Sequence, residues 1–416
     1  MRTFVLFLVF TFSHYLTQAQ IDSSLFKKST VSTSTKSLNM DAIYNRPFML
    51  GTQQHVSLGG YVEGNWQHMA TNGVSLGHQF QFRRMSLFMA SSLSRHIKFL
   101  SELEFENDPG ELMEGEKMEI DIEYAAIDVE INPLLNFRSG IILNPIGAFN
   151  QNHDGPKWEF VDRPIAMTQL LPATWNNAGA GFYGKQYRGN WMLGYEAYLS
   201  SGFDSSIIHN DRSKTYLPEA RHNAARLAYI PSGRPLFTTK IAVRQNKIGE
   251  FGISYMGQTY NVFMKNSLKI DAPRRLDVFA FDFNVSLGKL NTNLIGECAY
   301  VKVQVPSSIS SNYGSKQFGA FLDIVQPIFK GIVMTWNASV VNLACRFEYA
   351  DWNLGTFAVS NSKIYEELWS VVPAISFRPT PQTVLRLNYR IQQQADFVGD
   401  FTIKTKGLSL GMSAYF

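Results

Sequence analysis

The segment RRLDVFAFDFNVSLG sets Phe279, Phe281, Phe283, Val285 and Leu287 against Val278, Ala280, Asp282, Asn284 and Ser286. Five successive apolar positions at period two cannot share one face of a helix, so the spacing predicts a strand. VNLACRFEYADW repeats the pattern, with Val341, Leu343, Cys345, Phe347 and Tyr349 opposite Asn342, Ala344, Arg346, Glu348 and Ala350. TVLRLNYRIQ does so again, with Leu385, Leu387, Tyr389 and Ile391 opposite Val384, Arg386, Asn388, Arg390 and Gln392.

The links between such segments alternate in length. Tight ones are expected near Ser94-Arg95-His96, Asn132-Pro133, Arg188-Gly189-Asn190, Gly288-Lys289 and Pro379-Thr380-Pro381. Longer polar ones are expected at 107–118, 146–175, 205–220, 260–273, 306–315 and 353–364, while 231–248 and 326–340 resist clean division. Short turns at one end and long loops at the other are the pattern of a transmembrane barrel. The reading is all-β: an antiparallel β-barrel of about sixteen strands over residues 55–416, with both chain ends at the short-turn end.

Composition agrees. Charged residues make up 17% and aromatics 13%, against roughly 25% charged in ordinary soluble domains. Mean hydropathy is slightly negative, and after the first residues no window approaches the roughly 20 apolar residues of a spanning helix. The opening MRTFVLFLVFTFSHYLTQAQ, with Arg2, an apolar run from Phe4 to Phe12 and small residues before Gln20, reads as a signal peptide over 1–19. The Ser/Thr/Lys-rich stretch that follows places 20–54 as a flexible leader. Loss of 1–19 removes only Arg2 from 38 Lys and Arg against 34 Asp and Glu, a surplus too small for a nucleic-acid surface. Cys298 and Cys345 match no disulfide scaffold or metal spacing and fall on the apolar parity of their strands.

The terminal GLSLGMSAYF contains Gly407-x-Ser409-x-Gly411, the pattern of a nucleophile elbow. An elbow needs a helix after the serine, and only seven residues follow Ser409. The alternation of Leu408, Leu410, Met412, Ala414 and Phe416 with small or polar residues makes this a closing strand. Its terminal Phe416 fits the signal read by the barrel assembly machinery. No catalytic constellation, cofactor motif or metal motif is found, so the expectation is a protein that is not an enzyme and holds no metal.

The chain resembles the phosphate-selective porin O and P family. The resemblance lies in VSLGGYVEGNWQ, in FQFRRMSLFMASSLSRHIKFLSELEFEND with its Arg83-Arg84 pair, in NPIGAF, in ARLAYIPSG and in MSAYF, and covers roughly residues 55–416. It implies a sixteen-stranded, homotrimeric barrel in the outer membrane of a Gram-negative bacterium, in contact with outer-membrane lipid, that passes small hydrophilic solutes with an anion or phosphate preference. The arginine ladder and lysine cluster of phosphate-selective members find no residue-by-residue match here.

If the apolar parity faces lipid, Glu102, Glu104 and Glu106 point inward from one strand, and Glu119, Asp121 and Glu123 from the next, with Ile120, Ile122 and Tyr124 outward. Arg346, Arg378, Arg386 and Arg390 point inward from the C-terminal strands. The expected lumen has an acidic wall and a basic wall, whose charges either set a transverse field or pair with each other and with loops. The connection through Trp175, read as the longest, is the expected constriction loop, with Asp154, Lys157, Glu159, Asp162 and Arg163 as its contacts. Arg83 and Arg84 cannot both face the lumen from a regular strand, and a bulge would accommodate them. Trp66, Trp191, Trp336, Trp352 and Trp369 are expected to include the interfacial girdles. The alternative to a porin is a non-channel barrel, an adhesin or envelope scaffold whose loops plug the lumen.

Overall fold

The computed structural model describes residues 37–47, 56–107, 118–288, 290–309, 313–357 and 359–416. The expected signal peptide, 1–19, lies outside them. The strands are β1 (Val56–Thr71), β2 (Val74–Ser92), β3 (Ile97–Glu106), β4 (Glu119–Asn132), β5 (Leu135–Leu143), β6 (Asn176–Arg188), β7 (Trp191–Ser200), β8 (Leu236–Gln245), β9 (Gly249–Thr259), β10 (Met264–Lys265), β11 (Leu268–Lys269), β12 (Arg275–Leu287), β13 (Thr292–Val303), β14 (Lys316–Val333), β15 (Trp336–Asp351), β16 (Glu367–Thr380), β17 (Thr383–Ala395) and β18 (Thr402–Tyr415). All but β10 and β11 form one closed barrel, each strand antiparallel to its neighbours in sequence, and β10–β11 is a small hairpin in the connection from β9 to β12. Closure comes from β1 against β18, in register from Tyr61↔Tyr415 to Thr71↔Thr405. A closed sheet leaves no edge, so each strand pairs on both sides within the wall, as a hydrocarbon surrounding demands.

Alternation of burial follows the sequence pattern. On β17, Val384, Arg386, Asn388 and Arg390 are buried while Leu385, Leu387, Tyr389 and Ile391 are exposed on the outer surface. On β18, Ser409 and Ser413 are buried inward and Leu408, Leu410 and Met412 exposed. Ser409 therefore sits in mid-strand, and the elbow geometry is absent.

Short turns close one end at 93–96, 133–134, 189–190, 246–248, 288–291, 334–335 and 381–382, and the longer connections lie at the other end. The β1–β2 link, at the long-loop end, is Asn72-Gly73, both with positive φ (50° and 84°), the conformation a two-residue hairpin requires and that Asn-Gly adopts readily. The two segments that resisted division resolve into β8–β9 around 246–248 and β14–β15 around 334–335.

Four expectations need correction. The connection at 201–235 is slightly longer than the one at 144–175, because residues flanking 205–220 carry no strand pattern of their own. Residues 37–47 belong to the stretch placed as a flexible leader, yet Leu38, Met40, Ile43 and Arg46 are buried because they pack inside the barrel. Tyr124 is buried rather than outward, because a register shift between Glu102 and Leu103 opposite it flips the parity of β4. Trp352 is buried among the loops, whereas Trp191, Trp336 and Trp369 are exposed on the outer surface.

The outer surface around Leu387 is apolar, so a charge there meets lipid. Leu387→Arg is expected to destabilise the barrel by about 2–4 kcal/mol if near the bilayer midplane, read by denaturant unfolding from lipid vesicles. Unchanged stability would place that face in water.

Candidate functional site

A sixteen-stranded barrel is too wide for its inward side chains to fill, and here three segments occupy the lumen. The 144–175 and 201–235 connections fold inward as short helical turns, including Phe149–Gln151, Gly155–Lys157 and Ala166–Leu170 from the first and Leu217–His222 from the second. Trp158, Ile165, Met167, Leu170 and Trp175, with Phe203 and Leu217, pack against Val278, Val301, Phe321 and Leu368 on the inner face of β12–β16. Gly319 lies under this packing: a Cβ there would come within 3.0 Å of Leu170 and Ala166. One side of the lumen is thus a hydrophobic core rather than a wetted wall.

Wall side chains hold the loop backbone. The Glu297 carboxylate accepts from the amides of Ala148 and Phe149 at 2.8 Å, Glu348 accepts from Ile165 at 2.9 Å, and Lys240 donates to the Gly147 carbonyl at 2.6 Å.

On β15–β17, which overlap this apolar wall, the loop also meets charge. Arg346 pairs with Asp323 and donates to the Asp162 carbonyl, each at 2.7 Å. Arg378 pairs with Glu159 at 2.7 Å and donates to the Pro156 carbonyl at 2.8 Å. Arg386 donates to the Phe160 carbonyl at 2.7 Å and lies 3.2 Å from Glu63. Arg390 joins Glu348 at 2.9 Å to Asp162 at 3.2 Å. All four arginines expected on the basic wall face inward and grip the 144–175 loop.

The acidic wall grips it in the opposite sense. Glu104 accepts from Tyr61 at 3.0 Å, Ser86 at 2.6 Å and Arg163 at 3.3 Å. Glu106 pairs with Arg84 at 2.6 Å and with Arg221 of the 201–235 loop at 2.9 Å. Arg221 also reaches Glu123 at 3.3 Å, and Arg226 pairs with Asp121. Glu119, half-buried, begins β4 opposite Glu106. The loop therefore offers Glu159 and Asp162 to the basic wall and Arg163 to the acidic one.

Arg83 and Arg84 are both buried inward, because a register shift between Glu63 and Gly64 bulges the chain at Arg83. Arg83 then reaches Asp162 at 3.2 Å.

The third occupant is the segment 37–47, and sequence patterning did not point to it. Leu38 and Met40 pack on Tyr183, Met192 and Ala242, over Gly194, where a Cβ would lie 2.4 Å from Leu38. Ile43 packs on Leu100, Tyr124 and Ile142. The Asn39 amide donates to Glu250 at 3.0 Å, and Lys185 pairs with Asp41. Arg46 bridges Glu102 at 2.7 Å and Asp154 at 2.8 Å, its guanidinium 3.8 Å above the Phe88 ring. Asp154 is joined by Lys157 at 2.9 Å and by the Tyr415 hydroxyl at 2.7 Å. The segment, the 144–175 loop and the barrel wall thus meet at Arg46 and Asp154.

His153, Glu102 and Glu104 bring donor atoms within 4.8 Å of one another, a set that suits a cation although no metal is expected from the sequence. Glu102 and Glu104 are engaged by Arg46 and Arg163, which already neutralise them.

Burial works against ionisation of the loop carboxyls, and neighbouring cations outweigh it. Asp154 is held well below the usual carboxylate range by Arg46 and Lys157, and Asp162 is held down at about 2 by Arg390 and Arg83.

No family model matches the chain. A 149-residue stretch, 35% of the chain, is 32% identical to an uncharacterized protein of Aquifex aeolicus (strain VF5), and the match spans about a third (32%) of that relative's length. Among solved structures, the outer membrane channel DcaP of Acinetobacter baumannii covers 87% of this chain and 97% of its own at TM-score 0.53 and 13% identity. The anion-selective porin from Comamonas acidovorans covers 87% and 99% at TM-score 0.51 and 12% identity. OmpT of Vibrio cholerae covers 88% and 99% at TM-score 0.51 and 8% identity. At such identities the likeness establishes the fold: an outer-membrane β-barrel of the porin type.

Arg46→Ala leaves Glu102 buried without its main cation, an expected loss of about 3–5 kcal/mol. Release of 37–47 should appear as a new proteolytic cut near that segment in the folded barrel, and a barrel as resistant as the parent would contradict the bridge. Asp162, with its pKa lowered from about 3.9 in the unfolded chain, contributes stability that is present above that value and lost as pH falls through about 2. Pepsin should therefore spare the 144–175 loop at pH 4 and cut it near pH 2; equal cutting at both would contradict this.

Proposed function

We propose that the protein is an outer-membrane porin that passes small hydrophilic solutes by passive diffusion through a lumen narrowed by the 144–175 loop and the 37–47 segment. The observation that carries this reading is the loop's position between two oppositely charged walls, with its ions still partly open to water. Asp162 and Lys157 retain 24% and 23% side-chain exposure, and Arg378 and Glu159 retain 14% and 12%.

A polar approach leads there from the long-loop end. Gln67, Gln79, Gln81 and Gln392 are half-buried on inward positions; Arg83 donates to Gln81 and Arg390 to Gln392, each at 3.3 Å. Solutes would shed part of their hydration against these amides before meeting the ion pairs. The arginines at this point, and the likeness to a barrel named as anion-selective, support an anion preference. Affinity for phosphate in particular would require freeing Arg390 or Arg83 from Asp162. Assembly as a homotrimer belongs to the same proposal, with insertion by the barrel assembly machinery.

The second reading is an envelope scaffold with a plugged lumen, favoured by the apolar packing of Trp158, Leu170 and Leu217 inside the barrel. Single-channel recording of the refolded protein separates the two. Steady conductance steps are expected. Arg378→Ala should shift the permeability ratio toward cations, and Glu159→Gln toward anions, each by roughly twofold to fivefold for one unit charge in a wet constriction. A folded barrel without conductance would overturn the porin in favour of the scaffold.

A further inference from the structure

The outer face of β8, β9 and β12–β14 carries a groove of about 430 Å³, whose walls include Ile241, Ile253, Phe279, Phe281, Tyr300 and Phe318. The register explains it. Tyr255, Phe279, Tyr300 and Phe318 stand side by side across four strands. One step toward the short-turn end, the corresponding line is Ile253, Phe281, Cys298 and Ala320. The small Cys298 leaves a floor between larger neighbours. Its volume falls in the range of small-molecule sites, and its walls are almost wholly apolar.

One step toward the long-loop end the character reverses. The line there is Gly257, Asp277, Lys302 and Lys316, with Arg275 just beyond. Asp277 is already satisfied: Arg275 pairs with it at 2.8 Å, and the Tyr255 hydroxyl donates to it at 2.7 Å. Lys302 and Lys316 are directly opposed cross-strand partners, both exposed, and among the described residues the Lys316 ammonium has no carboxylate partner. Like charges facing each other across a ladder are destabilising unless an anion sits between them.

We propose that this face binds a phosphorylated, acylated lipid of the outer leaflet, with an acyl chain in the groove and a phosphate between Lys302, Lys316 and Arg275. Basic residues directly above an aromatic row match the depth at which a lipid phosphate meets its chains. The inference rests on the outer-membrane placement, with the long-loop end outward, and not on whether the lumen conducts.

The test is native mass spectrometry of the refolded full chain in detergent, titrated with lipid A and, separately, with an uncharged diacylglycerol. Lys302→Gln with Lys316→Gln removes the phosphate contacts, and Cys298→Phe fills the groove without changing charge. Each is expected to weaken lipid A binding by about tenfold or more. Lys404→Gln with Lys406→Gln, which alters exposed lysines elsewhere on the outer wall, should leave it unchanged. The proposal is overturned if lipid A binding survives both patch variants, or if diacylglycerol binds as tightly as lipid A. It is also overturned if Cys298→Phe changes only the oligomeric mass, which would assign the groove to a second copy of the chain. Conductance, measured independently, does not enter any of these outcomes.

Discussion

A closed barrel of sixteen strands encloses more space than its own inward side chains can occupy, and the organisation of this protein follows from how that space is filled. The backbone has no alternative to closure in lipid, so the problem is passed to the connections. Two long loops and the segment before the first strand turn inward. They meet the wall through two kinds of contact, apolar side chains and ions.

The two kinds of contact differ in what they contribute. Burial of Trp158, Leu170, Trp175 and Phe203 supplies non-directional stabilisation, on the order of 25 cal/mol for each Å² of apolar surface removed from water. The ion pairs supply position instead, because removing two charges from water offsets much of their attraction. Arg386 donates to the Phe160 carbonyl, Arg346 to the Asp162 carbonyl and Arg378 to the Pro156 carbonyl. Such bonds to backbone fix where the loop runs, and so where a passage beside it would lie. Asp162, shared by Arg83 and Arg390, is at once anchor and lining.

How much of this could be read from the sequence depended on whether a feature left a periodic trace. β12, β15 and β17 were legible because lipid imposes an apolar residue at every second position. The inward arginines and carboxylates were legible as the complement of that pattern. The partners were not: Arg221 and Arg226 lie in a loop without period, and Arg46 lies just after a stretch whose composition resembles a linker. Val278, Ala280 and Val301 on the inner parity were visible as apolar, but alternation alone does not say that loops would cover them. The bulges that turn Arg83 and Tyr124 inward each shift one residue against its neighbours, and only Arg83-Arg84 announced the conflict, by placing two charges in succession.

Residues 37–47 and 149–165 are built into the lumen and held there by the wall. Hydrogen–deuterium exchange of the protein in lipid nanodiscs measures this directly. Amides of both segments are expected to be protected for times approaching those of the barrel strands, with Arg46→Ala exposing 37–47. Exchange of the two segments at the rate of open loops would contradict it, and would leave the lumen lined by the wall alone.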